Sequence, residues 1–153
     1  MTTVFGLPAH ALLVHAVVVL APLTAALEIL CALWPAARRR FVWLVLAFAA
    51  GTLVLTPLTT SAGAWLYNQQ AQPSDILVAH ANRGQWMILF SAGLLVVAIA
   101  LAVMHWLEGR SDKRRTTAAV AVAILAVVGG VSSIVGVARI GDAGAQAVWG
   151  VRR

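Results

Sequence analysis

The sequence predicts an all-α fold, an integral membrane four-helix bundle running up-down-up-down, on three observations. Of 153 residues, 61% are hydrophobic and only 10% charged, where a globular chain has about 45–50% and about 25%. The apolar residues gather in four blocks, Ala11–Trp34, Phe41–Leu66, Trp86–Trp106 and Thr117–Ala138. Each is close to the roughly 20 residues that cross a hydrocarbon core of about 30 Å. Trp34, Trp43 and Trp106 mark one set of block ends and Trp65, Trp86 and Trp149 the other. Two interfacial aromatic belts have this pattern.

The first block, helix 1, lacks a basic flank and a cleavage site and is too long for a signal-peptide core, so it is expected to remain in the mature protein. Pro35–Arg40 links it to helix 2, and Gly109–Thr116 links helices 3 and 4. Links this short imply antiparallel neighbours. The middle segment Tyr67–Gln85 is polar and broken by Pro73. Ser74 is placed to cap a helix beginning at Asp75, so helix 3 is expected to start with an interfacial turn or two before Trp86. Pro22 and Pro57 fall inside spans and are expected to be tolerated kinks. Residues 1–153 form one transmembrane domain.

Charge sets orientation. The side with the two short links carries Arg38, Arg39, Arg40, Arg110, Lys113, Arg114 and Arg115, and the other side Arg83, Arg139, Arg152 and Arg153. The richer side is expected in the cytoplasm and both termini outside it. The net charge of +6 is not arranged as a basic patch interleaved with aromatics, so nucleic acid is not an expected partner. One cysteine excludes an internal disulfide. Ten arginines against one lysine, with abundant Ala and Val, fit a high-GC bacterial genome. The expected location is the bacterial inner (plasma) membrane, as a multi-pass protein in the lipid bilayer.

Polar groups inside lipid are costly and therefore informative. His10, His15 and His80 lie toward the outer side, with Thr56, Thr59, Thr60, Ser61, Ser132 and Ser133 in the outer half of the spans; His105 is alone at the opposite end. His10 and His15, five residues apart, point about 140° away from each other on a helix, so they do not bind one ion as a pair. A ligand pair takes one of them and adds His80. Two imidazoles at one depth on different helices are the arrangement that holds a haem b iron. A divalent metal is the other reading, and hydrogen bonding without a cofactor the third.

Arg83 and Arg139 flank this cluster. They suit haem propionates or a quinone headgroup, or alternatively lipid phosphate or the carboxylates of Asp75 and Asp142. Gly129, Gly130, Ser133 and Gly136 make one stretch of helix 4 small, which allows close helix approach. Glu28 is the one acid well inside a span, with no Lys or Arg at its depth. It is expected to be protonated or hydrogen-bonded within the bundle, and it is a candidate proton relay. An internal echo joins Ser61-Ala62-Gly63-Ala64-Trp65 to Asp142-Ala143-Gly144-Ala145 followed by Trp149. A two-helix repeat about the membrane normal is expected to set His15 across from His80; by depth, with His15 about a turn inside helix 1 and His80 about two turns before Trp86, His10 matches His80 better.

Gly6-Leu7-Pro8-Ala9-His10, continuing to His15, resembles the opening signature of a bacterial membrane family, domain of unknown function 2231. The resemblance extends to His80 and to Gly141-Asp142-Ala143-Gly144 and so covers nearly the whole chain. It implies a four-helix membrane domain. Some members are joined to Rieske or cytochrome modules, which implies electron transfer; one cysteine cannot hold an iron–sulfur cluster here. The family often has Pro where this chain has Ala11 and His where it has Asp142. An aspartate can bind a hard metal or orient an imidazole but is a poor haem ligand, which leaves one well-supplied site.

The expected function is membrane electron transfer through a haem b or metal site near the outer face, exchanging electrons with quinol or a redox partner protein. Its residues are His10, His15, His80, Arg83 and Arg139, with Asp142 added for a metal. The alternatives are a cofactor-free structural or accessory subunit of a larger membrane complex and a small transporter using Glu28. No nucleophile–base–oxyanion constellation is present, so an enzyme is not the leading expectation.

Overall fold

The computed structural model describes residues 3–4, 7–110 and 116–150. Gly6 of the opening motif, Lys113, Arg114 and Arg115 of the second basic link, and Arg152 and Arg153 lie outside the described residues. Two short strands, β1 (Thr3–Val4) and β2 (Leu7–Pro8), pair antiparallel just before the bundle. The spans follow as α1 (Ala9–Leu33), α2 (Pro35–Tyr67), the short α3 (Asp75–Gly84), α4 (Met87–Glu108) and α5 (Thr116–Trp149).

All four long spans are apolar enough to cross a membrane. Their middles expose Val19, Val54, Val96 and Val128, each more than 60% accessible. In water that surface would be an aggregation hazard; in a bilayer it is the lipid face. All six tryptophans are exposed near span ends, consistent with interfacial belts.

Helix boundaries differ from the sequence expectation in two places. The expected link Pro35–Arg40 is helical, because Pro35 occupies the first turn, where its missing N–H costs nothing. Only Trp34, extended at φ −125° and ψ 104°, breaks α1 from α2. The last helix runs on through the predicted end at Ala138 to Trp149. Ser74 does cap α3, its hydroxyl accepting from the Leu77 N–H at 3.3 Å, and a turn at Gln85–Trp86 separates α3 from α4. Pro22 and Pro57 sit inside continuous helices.

Around the bundle the spans are ordered α1, α2, α4, α5, with α1 and α4 touching across the diagonal and α3 packed on α5. Gly130 permits the close approach of α1 and α5: a Cβ there would lie 3.0 Å from Ile29 and 3.3 Å from the Ala25 carbonyl. Gly136 does the same for α4 and α5 against the Phe90 ring. The small stretch of α5 is thus used for packing.

The two halves repeat. Val17, Ala21, Thr24, Glu28 and Cys31 of α1 are buried, and so are Met87, Ser91, Leu94, Ala98 and Leu101, each 70 positions later in α4. In α2, Val45, Ala49, Thr52 and Thr56 are buried, as are Ala126, Gly130, Ser133 and Val137 of α5, each 81 positions later. The echo read in the sequence is a repeat of whole packing faces.

Candidate functional site

The site lies at the end of the bundle where α1 begins and α5 ends. His10, in the first turn of α1, places Nδ1 2.9 Å from the Thr59 carbonyl of α2. His80, on α3, places Nδ1 3.1 Å from the Ile140 carbonyl of α5. A carbonyl oxygen only accepts, so each Nδ1 carries a proton and donates it. In the neutral ring, Nε2 is then left with a free lone pair.

Glycine makes room for both rings. A Cβ on Gly63 would stand 2.8 Å from His10 Cε1, and one on Gly144 would stand 2.9 Å from His80 Cε1. Each glycine lies four residues after the carbonyl that holds the ring, one turn along the same helix face. The two imidazoles meet across the diagonal with ring centroids 6.4 Å apart and planes at 72°. Histidine, carbonyl and glycine therefore form one device, built twice.

This corrects the pairing that the echo suggests, His15 with His80, and not the one that depth suggests. His10, not His15, is the counterpart of His80; Gln85 occupies the position equivalent to His15 in the 70-residue repeat. His15 is exposed, and its Nδ1 bonds the Ala11 carbonyl of its own helix at 2.5 Å. Asp142 is held by Gln146 on its own helix, Nε2 donating to Oδ2 at 2.8 Å. Among the described residues no three His, Cys, Asp or Glu side chains gather as a metal site, so the four-residue set His10, His15, His80 and Asp142 is not assembled.

Arg83 and Arg139 come together instead on the outside of the bundle. Both are exposed and line an open groove of about 700 Å³ with Trp86, Phe90, Val135 and Ile140. Ile140 joins the groove to the histidine pair, since its carbonyl anchors His80.

Glu28 is fully buried, and neither carboxyl oxygen has a hydrogen-bond partner among the described residues. Of the two expectations for this acid, protonation or an internal hydrogen bond, the hydrogen bond is not made among the described residues. Arg38, expected as a link residue that sets orientation, is 2% exposed. Its Nη2 donates to Glu108 Oε1 at 2.6 Å and its Nη1 to the Cys31 carbonyl at 2.9 Å, tying α2 to α4 and α1. The run Arg38-Arg39-Arg40 concealed it; the sequence signal was Glu108, the lone acid at that end of α4. His105 stands near it, edge-on to Trp43 at 6.3 Å and far from the other histidines.

A family model described as "Predicted membrane protein (DUF2231)" matches residues 6–152. No curated protein and no solved structure matches the chain.

Proposed function

The chain belongs to the DUF2231 family of predicted membrane proteins, and we propose that it is a membrane electron carrier with one haem b held between His10 and His80. One observation carries this reading: two imidazoles, from α1 and α3, meet edge-on with centroids 6.4 Å apart, each with Nδ1 fixed by a backbone carbonyl. Ligating histidines are commonly oriented by such a second hydrogen bond. The donor set favours haem over a bare divalent ion. A zinc site takes three or four protein ligands, whereas haem iron needs only axial ones.

When bound, the haem would supply one-electron chemistry. The protein's part would be to offer an Nε2 lone pair from each ring and to hold the half-buried rings between the helices. The glycine cradles keep each ring against its carbonyl. Exchange with a quinol or a redox partner protein, and a cytoplasmic position for the Arg38 end, complete the proposal. Glu28 favours a second role: an unpartnered carboxyl inside lipid is a candidate proton carrier.

The test is the absorption spectrum of protein expressed with ample haem. A Soret band is expected in the wild type, absent in His10→Ala and in His80→Ala, and retained in His15→Ala and His105→Ala. Colourless wild-type protein free of transition metal would reject the cofactor and leave an accessory subunit of a larger membrane complex as the better account.

A further inference from the structure

The repeat separates what the fold requires from what it does not. The positions equivalent to Arg83 and Arg139 are Leu13 and Leu58, 70 and 81 residues earlier. Packing at these two places is thus satisfied by leucine in the first half. In the second half both carry guanidinium groups, and both line the same groove.

The groove lies between α4 and α5. Its volume, about 700 Å³, falls in the range of about 300–1,000 Å³ that suits a small-molecule ligand. Arg83 and Arg139 stand at its polar end, and Phe90, Val131 and Val135 continue it toward the middle of the spans. From Arg139 to Val131 is eight residues, or about 12 Å of helix, a length that several acyl-chain carbons can follow. Trp86, 61% exposed, stands at the same end, where indoles sit at headgroup depth. Neither arginine has a carboxylate partner among the described residues; the one ion pair there is Arg38 with Glu108 at the opposite end. Two guanidinium groups above an apolar trough, open to the bilayer, complement an anion with a hydrocarbon tail.

We propose that this groove binds an anionic phospholipid of the leaflet at the histidine end, with its phosphate on Arg83 and Arg139 and an acyl chain along Phe90, Val131 and Val135. A neutral quinone would leave the two cations uncompensated. Haem propionates meet them only if the macrocycle extends from between the imidazoles to the outer surface of α4 and α5. The phospholipid requires no such reach. Because Ile140 borders the groove and holds His80, an occupied groove also braces the histidine pair.

The experiment uses the full chain purified in mild detergent and exchanged with phosphatidylglycerol or phosphatidylcholine, reading retained lipid by native mass spectrometry. Wild type is expected to retain phosphatidylglycerol preferentially. Arg83→Leu/Arg139→Leu, whose residues the first half already accommodates, is expected to lower that retention about tenfold while unfolding at a similar temperature. Arg40→Leu, at the other end, should retain lipid like wild type. Ser132→Trp, which fills the groove from its exposed side, should expel the lipid with both arginines present. Equal retention of the two lipids by wild type overturns the proposal, as does an equal loss in Arg40→Leu. So does loss of a Soret band in the double variant with lipid retention unchanged, which would assign the arginines to propionates. The proposal does not depend on the haem: a colourless protein that retains phosphatidylglycerol leaves it standing.

Discussion

The N-terminal half, α1 and α2, and the C-terminal half, α3 to α5, reach the same arrangement by different chain paths. In the first, the histidine sits at the start of an unbroken helix; in the second, it sits on α3, separated by a turn from the span α4. The break does not disturb the register, since the buried face of α4 still follows that of α1 at the offset that relates His80 to His10. What is preserved is the contact set of imidazole, carbonyl and glycine, together with the small and apolar buried positions. What differs is charge. Glu28 faces Ala98 as its equivalent, Arg83 faces Leu13 and Arg139 faces Leu58. The shared residues carry the packing common to both halves, and Glu28, Arg83 and Arg139 are additions to it.

α1 begins and α5 ends at the histidine end, and the largest effect tests which side of the membrane that is. A C-terminal alkaline phosphatase fusion is expected to be active and a C-terminal fluorescent-protein fusion dark, putting the histidine end outside the cytoplasm. The reverse pattern would turn the bundle over without altering the comparison of its halves. The next largest effect lies in the cradles. Gly63→Ala and Gly144→Ala each place a methyl within 3 Å of an imidazole, a clash of the kind that costs about 1–3 kcal/mol. Each is expected to displace its ring and weaken or shift a Soret band to a similar degree. A strong effect from one glycine and none from the other would mean that the two devices are alike in shape and unlike in role.

The bundle was legible in the sequence because lipid leaves few alternatives: apolar blocks of spanning length must be helices, and their short links must reverse direction. The repeat was legible as the echo around Gly63 and Gly144 and in the outer histidine and basic link that each hairpin carries. Depth along the spans matches His10 with His80 better than His15, while the echo suggests His15; the carbonyl that holds each ring is not legible, because helical spacing says nothing about which carbonyl of another helix accepts from it. That match in depth takes the helix as continuous from His80 through Trp86; a turn interrupts it at Gln85–Trp86, and the His10 and His80 rings still lie 6.4 Å apart. Arg38 was missed for a related reason. A basic run at a membrane edge reads as topology, and only the third dimension brings Glu108 beside it.

A smaller effect is expected at Glu28. Burying a carboxyl without a hydrogen bond is unfavourable, and the second half fills the equivalent position with Ala98. Glu28→Gln is therefore expected to preserve fold and any bound cofactor, with stability changed by no more than about 1 kcal/mol, as read by thermal unfolding in detergent. Failure of that variant to assemble would show that the acid is ionised and has a cationic partner.

The smallest effect is expected at His15. The second half has Gln85 at the equivalent position, so His15→Gln makes the two halves more alike. His15 is exposed, and its imidazole bonds only within its own helix turn. Glutamine keeps a polar group at that depth and retains hydrogen-bonding capacity. Stability should move by less than about 0.5 kcal/mol, the range usual for surface substitutions away from special features. A Soret band should keep its position and intensity, because the ring reaches neither His10 nor His80. If His15→Gln abolishes the band while His10→Gln spares it, the ligand from α1 is one and a half turns deeper than the carbonyl-and-glycine device places it. The resemblance between the halves would then be structural, and the pairing of His10 with His80 a packing contact.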